Sequence, residues 1–597
     1  VLLKLAITGI KQRFRDYVVL LMGLIISSGI FYIFASLAIN TDFIKANSGI
    51  SIAAQVFMFG MVLLLIITMV YVSYANTFLL SMRQHDYGLF MMLGAKKQNI
   101  GVLMVLETIL LGGVASIIGI ILGIGVSSVL SQFLFNQLGV TIHHFSPIYG
   151  PAMIDTLTVY VVLFALAAVL NLSKLMRTPV LKLLHVEDEA TNVRVRPVLQ
   201  ALAAVLGIAC LAIGYYAMAQ IMTLQLTAIP IALVTITLGT YLLFSAIIGG
   251  VLTAIRKSRF AAKRLRTFTL AQINFRVRGY TRILTVVSLL FAMALGAISV
   301  GAGFQRQIPT MVASISSYTI SIKDETPNEA KLAKQLHVKW QKSYQQTIQG
   351  DTAYYNEAAF AKQPFPMLAN PAAKNDGRVK QFSLPEFKKK AIISSDFLAL
   401  SPTSNHIRFL NNSDFNNLKG QKHQLTIIRV HSNVQDRKVL EKITASQQRR
   451  FHEPFFNLGG GYSGFVLFNN LFGGLEFMGF FLGIAFLAML ASCLMFKILS
   501  GANKDVVRYN MLNRIGVSQR LMKQAIWQEV GTLFIIPGVL GIIDVLFGLQ
   551  MFKPLLYNPY EIVGWTILGF CMLYGLYAWL TISLYRRLVV PPMQLSK

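Results

Sequence analysis

The stretch "DYGLFMMLGAKKQNIGVLMVLET", residues 86–108, returns in altered form as "RYNMLNRIGVSQRLMKQAIWQEV", residues 508–530. Aligned without a gap at an offset of 422, Tyr87 meets Tyr509, Phe90 meets Leu512, Leu93 meets Ile515, Gly94 meets Gly516 and Glu107 meets Glu529. Each copy sits between two long apolar runs. Within the first, Tyr87, Phe90, Met91 and Gly94 follow the i, i+3, i+4, i+7 spacing of one helix face. Asp86 suits the start of such a helix, and Gly94, Ala95 and the lysines after them suit its end. A short helix is therefore expected across the base of a membrane bundle in each copy.

Internal repeats decide architecture before any local reading does. Two weaker matches follow the same chain order. "LAITGIKQRFRDY" from Leu5 pairs with "LAQINFRVRGYTR" from Leu270 at an offset of 265, and "NLSKLMRTPVLKL" from Asn171 pairs with "SLYRRLVVPPMQL" from Ser583 at 412. Between the first two offsets the shift grows by 157 residues, about the size of one large polar region. The chain thus reads as two four-span units joined by an extra hairpin. Because four is even, both units enter the membrane from the same side, which makes the repeat parallel.

Composition supports spans. Of 597 residues 55% are hydrophobic and 13% charged, and apolar runs of the roughly 20 residues that cross a bilayer recur along the chain. About ten are expected, near 17–39, 53–78, 101–133, 156–174, 199–220, 228–255, 282–303, 472–497, 526–550 and 561–585. The net charge of +29 falls mainly in short segments beside the runs and in one large loop, which speaks for a membrane and against nucleic acid. Lys4, Lys11, Arg13 and Arg15, then alternate loops with Arg83, Lys96 and Lys97, set both termini in the cytoplasm. "SLA" at 36–38 is read as part of span one, not as a signal-peptidase site. Cys210, Cys493 and Cys571 lie in apolar runs and read as packing residues.

Glu107, Glu529 and Asp544 are ionisable residues inside spans. Such residues are costly in a membrane and serve a purpose. For the glutamates, a bracing ion pair with a basic group such as Arg83 or Arg282 competes with a proton-coupling role, and their repetition favours the brace. Asp544 has no counterpart and is read as lining a groove open to lipid. For the short helices, a rest on lipid headgroups competes with a docking surface for a partner, and the two copies favour docking.

Residues 304–471 hold most of the polar sequence. "YTISIKDE" and "QLTIIRV" alternate as strands do, "NEAKLAKQLHVKWQKSYQQ" reads as an amphipathic helix, and an α+β extracellular domain is expected. It carries about ten more basic than acidic residues, with clusters at Lys388, Lys389 and Lys390 and at Arg449 and Arg450. These suit either a solvated surface facing anionic polymers or contacts to an anionic lipid or peptide. "FNLGGGYSGFVLFNN", 456–470, reads as a flexible junction. No catalytic or metal-ligand constellation emerges, and His143 and His144 read as surface residues of a short outer loop.

A basic stretch, a hydrophobic pair, "LGA" and a Glu in the next span resemble the FtsX-like permease domain of bacterial ABC transporters. Ten spans, two such units and an insertion between spans seven and eight are similar to permeases of the bacitracin-resistance (BceB) type. The second copy departs from the pattern, with "RIGVSQ" where the first has "MLGAKK". The resemblance implies that Asp86, Tyr87, Phe90, Leu93, Gly94 and Ala95, and Tyr509, Leu512, Ile515 and Gly516, form coupling helices for an ABC ATPase dimer that holds ATP and Mg. This chain has no GxxxxGK[ST] loop of its own and is expected to bind no cofactor. It further implies a sensor histidine kinase as partner, and antimicrobial peptides or undecaprenyl pyrophosphate-type lipids as ligands. The expected function is a permease for antimicrobial-peptide resistance and sensing in a bacterial cell membrane. The alternatives are a mechanotransmitter for a cell-wall hydrolase, a lipid extractor and, from another class, a secondary transporter. The expected boundaries are 1–190 for the first unit, 191–265 for the extra pair, 266–303 for helix seven with its lead-in, 304–471 for the extracellular domain and 472–597 for the second unit.

Overall fold

A computed structural model describes residues 2–12, 14–40, 51–138, 146–177, 197–248, 266–369, 377–382, 384–391, 395–401, 406–452 and 460–590. His143 and His144, the proline pair Pro179 and Pro591, and the basic segment 249–265 lie outside them. Among the described residues ten helices are long and apolar enough to cross a membrane. They are Phe14–Ile39, Ser51–Met92, Lys97–Leu138, Gly150–Arg177, Pro197–Ala219, Ala228–Leu242, Thr281–Ile315, Gly461–Ser500, Gln519–Gly548 and Val563–Val589, numbered here as spans one to ten. The chain is a multi-pass membrane protein. Two lead-in helices, Leu2–Gln12 and Arg266–Gly279, precede spans one and seven. The described residues form a helical bundle and, within Phe304–Gly474, a separate sheet domain.

In the bundle, polar side chains join spans where lipid offers them no partner. Ser27 of span one shares hydrogen bonds of 2.7 Å with Thr68 of span two and with Tyr160 of span four. Spans one and three approach closely through Gly29, Gly119 and Gly123: a Cβ on Gly123 would stand 2.8 Å from the Gly29 carbonyl. In the second half Ser288 of span seven donates to the Pro537 carbonyl of span nine at 3.1 Å, and the Phe291 ring fills the space Gly541 leaves. The halves meet along spans two and eight, where Phe57 and Phe477 pack edge to face at 5.7 Å. The extra hairpin attaches to span nine: Tyr215 of span five stacks on Phe547 at 4.1 Å and donates to Asp544 at 2.6 Å. Asp544 is therefore buried against protein and is not open to lipid.

The sheet domain has five strands in the order β1-β7-β2-β3-β6. They are β1 Ile320–Lys323, β2 Val338–Gln349, β3 Thr352–Asn356, β6 His406–Leu410 and β7 Lys422–Val430; β4 Pro366–Leu368 and β5 Val379–Gln381 form a second, two-stranded sheet. Neighbours are antiparallel except β3 and β6. One core of Tyr344, Tyr355, Phe360, Phe365, Phe387 and Phe397 packs ring against ring. Both expected strands form, as β1 and β7. The expected helix over 328–346 is corrected: a short helix, Pro327–Ala333, is followed by the twelve-residue strand β2. That strand turns Tyr344 and Gln346 inward together, so a polar residue occupies a core position and hides the alternation. Gln346 is accommodated because it donates to the Tyr355 hydroxyl at 2.8 Å and to Ser401. The expected glycine junction is also corrected. From Gly461 onward it is the first part of span eight, and 456–459 lie outside the described residues.

Candidate functional site

Each repeat folds its signature stretch into a hairpin between two spans. In the first, span two continues unbroken through Asp86 to Met92, so the expected separate helix does not exist there and Asp86 is not its start. In the second, Gly501 stands where the first half has Leu79. Glycine is a poor helix former, and a separate helix, Ala502–Arg514, follows it.

Both hairpins close identically. The Gly94 amide donates to the Met91 carbonyl at 3.1 Å and the Ala95 amide to the Phe90 carbonyl at 2.9 Å. Gly516 donates to Asn513 at 3.0 Å and Val517 to Leu512 at 3.1 Å. These are the two bonds of a Schellman cap, which needs a left-handed residue. Gly94 has φ +95° and Gly516 φ +88°.

The face expected to dock is divided between two tasks. Tyr87 and Tyr509 are 2% and 0% exposed, and their hydroxyls donate inward to Glu107 at 3.2 Å and to Glu529 at 3.1 Å. They anchor the hairpins and offer nothing to a partner. What projects is Leu93, 85% exposed, and Ile515, 78% exposed, with Phe90 beside Leu93 and Leu512 half-buried. Leu89 and Met511, repeat partners that the sequence reading passed over, are also exposed. Their signal was available: they lie one turn before Leu93 and Ile515.

The buried glutamates are braced by arginines. Glu107 pairs with Arg83, as the sequence suggested. Glu529 pairs with Arg276 of the lead-in helix and not with Arg282. Arg276 also meets Asp505 at 2.5 Å and the Tyr585 hydroxyl of span ten at 2.6 Å, and lies over the Tyr585 ring at 5.4 Å. Arg276 and Asp505 were not picked out from the sequence.

The basic candidates of the sheet domain are mostly engaged within it. Lys388 pairs with Glu357 at 2.7 Å; Lys390 pairs with Glu386 at 3.5 Å and covers the Phe382 ring at 3.8 Å. Arg450 pairs with Glu329 at 3.0 Å and Arg449 donates to the Ala445 carbonyl at 3.1 Å. Lys389 is exposed.

Residues 58–180, spanning the first hairpin and its flanking spans, match the model of the FtsX-like permease C-terminal domain. The chain carries an FtsX-like permease domain. It is similar to the bacitracin export permease protein BceB of Bacillus subtilis (strain 168), 24% identical over 309 residues, 50% of this chain and 47% of that protein. The BceB of Halalkalibacterium halodurans is 24% identical over 307 residues, 49% of this chain and 47% of the relative. These matches span about half the length of either relative. The ABC transporter permease protein YxdM of Bacillus subtilis (strain 168) is 22% identical over 600 residues, 92% of this chain and 93% of its own length. The chain is thus similar to ABC transporter permeases, and its second hairpin is related to the matched one by the internal repeat.

Proposed function

We propose that this permease couples ATP hydrolysis in a separate ABC ATPase dimer to movement of its sheet domain on the outer face of a bacterial membrane. There it releases lipid-carrier targets from antimicrobial peptides of the bacitracin class. The observation that carries the reading is the pair of identically capped hairpins with Leu93 and Ile515 projecting at repeat-equivalent positions. Exposed aliphatic tips beside a rigid cap are suited to seat in apolar grooves of two copies of one partner. Tyr87 and Tyr509 would carry force from the tips to Glu107 and Glu529, hence into spans three and nine. In this reading the hairpins and both termini face the cytoplasm.

The names of the bacitracin export permeases support the substrate class, and the positive charge of the sheet domain supports an anionic ligand such as a pyrophosphate-bearing lipid. Of the five candidate cations, Lys389 and Arg449 are exposed and neither pairs with a carboxylate among the described residues, which leaves them best placed to meet it. The test is co-purification with the ABC ATPases of the same cells. The native chain should retain one of them, and Leu93→Asp combined with Ile515→Asp should lose it while the protein stays folded. Retention of the ATPase by that variant would sink the docking assignment. Bacitracin susceptibility of a strain lacking the protein separates the resistance reading from wall remodelling.

A further inference from the structure

The two halves neutralise the same buried glutamate from opposite sides of the same interface. Position 83 of the first half is Arg and its repeat equivalent, 505, is Asp; Lys11 and Gly9 of the first lead-in helix correspond to Arg276 and Asn274 of the second. In the first half the cation comes from span two, and it reaches Glu107 across Gly9, where a Cβ would stand 2.3 Å from the Arg83 guanidinium. In the second half the hairpin supplies Asp505 and the lead-in helix supplies the cation. The hairpin position has reversed its charge, the lead-in helix is basic in both halves, and bulk has moved from the hairpin to the lead-in helix. One further contact follows this change: Arg508 of the second hairpin pairs with Asp505 and donates to Gln272 of the lead-in helix. The equivalent positions in the first half are Asp86 and the exposed Ile7.

The mechanical consequence differs between halves. The Arg83–Glu107 pair joins span two to span three, and the first lead-in helix meets it through the small residues Ala6 and Gly9. The Arg276 guanidinium joins four elements at one point: the lead-in helix of span seven, the second hairpin through Asp505, span nine through Glu529 and span ten through Tyr585. A planar group with five donors can hold several acceptors in fixed directions, as an ammonium cannot.

We propose that Arg276 is a positioning residue that makes the second hairpin, spans nine and ten and the lead-in helix of span seven move as one body, while the first half leaves its lead-in helix free to slip. Displacement of the second hairpin is then passed to span seven through its lead-in helix, whereas the first hairpin meets span one itself at Tyr17, buried beside Arg83, Tyr87 and Glu107, and bypasses the lead-in helix. The mechanical statement stands apart from the docking reading; only its use by an ATPase rests on that reading.

Hydrogen exchange of the full chain in lipid nanodiscs tests it without any ATPase. Because removal of Arg276 would leave the buried Glu529 without its cation, the main variant rebuilds the first-half arrangement in the second: N274G, R276K, D505R and R508D together. Glu529 would then take its cation from its own hairpin. Amides 270–279 should exchange at least about tenfold faster than in the native chain, with the hairpin itself as protected as before. Native protection of 270–279 in this variant overturns the proposal. If the fourfold variant does not fold, R276K alone keeps the charge but cannot hold four partners. It should loosen 270–279 by several fold while R83K leaves 4–11 unchanged. Equal loosening of both lead-in helices by the two lysine variants, or of neither, overturns it as well.

Discussion

Tyr71 of span two and Ser492 of span eight share a buried hydrogen bond of 2.7 Å, and they are 421 residues apart in a chain whose signature stretches repeat every 422. The repeat equivalent of Tyr71 is Cys493, the neighbour of Ser492, so the bond sits where equivalent faces of the two halves meet. Bonds between spans contribute little on average, about 0.6 kcal/mol. Tyr71→Phe should therefore lower stability only slightly. Gly23→Val should cost more, roughly 1–3 kcal/mol, because its Cβ would lie 2.6 Å from the Tyr71 hydroxyl and must push the ring out of the interface. Thermal unfolding of the two purified variants gives the order, and a Gly23→Val no worse than Tyr71→Phe contradicts the packing described.

The caps make a cleaner prediction, because space plays no part in it. Nothing lies within 4 Å of a Cβ built on Gly94 or Gly516, yet both have positive φ. Alanine at either should cost about 1–2 kcal/mol from the backbone alone. Asparagine, which tolerates the left-handed region, should cost less. Faster amide exchange over 89–97 or 511–519, graded Ala above Asn, is the expected result; equal exchange for the two substitutions argues against the cap.

What was legible in the sequence was what the two halves kept in common. Tyr87 and Tyr509, Gly94 and Gly516, and Glu107 and Glu529 are identical letters at one offset, and each pair has the same place in the structure. Asp505 was missed because its repeat equivalent is Arg83, a mismatch in the alignment, and Arg276 was matched to Lys11 only as a shared basic position, with nothing in the sequence to show that it reaches Glu529. Spans were legible from hydropathy, but their ends were not: Gly88, between the apolar run of span two and Gly94, does not break the helix, which simply continues. The sheet domain was legible where the inward face is apolar, as in β1 with Ile320 and Ile322, and β2 failed because Lys342 and Gln346 fall on the same side as Tyr344.

Removing one partner of a buried ion pair costs far more than removing both. Arg83→Met would leave Glu107, 4% exposed, without its cation, and a loss of roughly 3–5 kcal/mol is expected. Adding Glu107→Gln should recover most of it, since the Tyr87 hydroxyl can still donate to the amide oxygen. The two single variants and the double, compared by denaturation in detergent, should show strong non-additivity. Additive losses would mean that the pair does not brace the hairpin.

The sheet domain should lose stability in acid over a defined window. Burial acts to raise the Glu329 carboxyl, but the Thr326 amide at 2.9 Å and the Gln447 side chain at 3.0 Å donate to it, and together with Ser446 they hold it below its ordinary value of 4.5. Asp324 is likewise held below its ordinary 3.8, against burial, by His423 at 2.5 Å and the Gln424 amide at 2.8 Å. A carboxyl depressed in the folded state gives stability that is complete above its unfolded value and is lost as pH falls through the folded one. Glu325, raised by burial and by Glu329, has the opposite sign and offsets part of this loss. Protection of the β1 and β7 amides should thus not fall from neutral pH down to about 4.5, and should fall below it as the carboxyls of the Thr326–Glu329 capping box and of Asp324 are protonated. Glu329→Gln should weaken the domain at neutral pH and flatten the acid limb, because the amide is already neutral there. An acid limb unchanged by Glu329→Gln would assign the loss to other carboxylates.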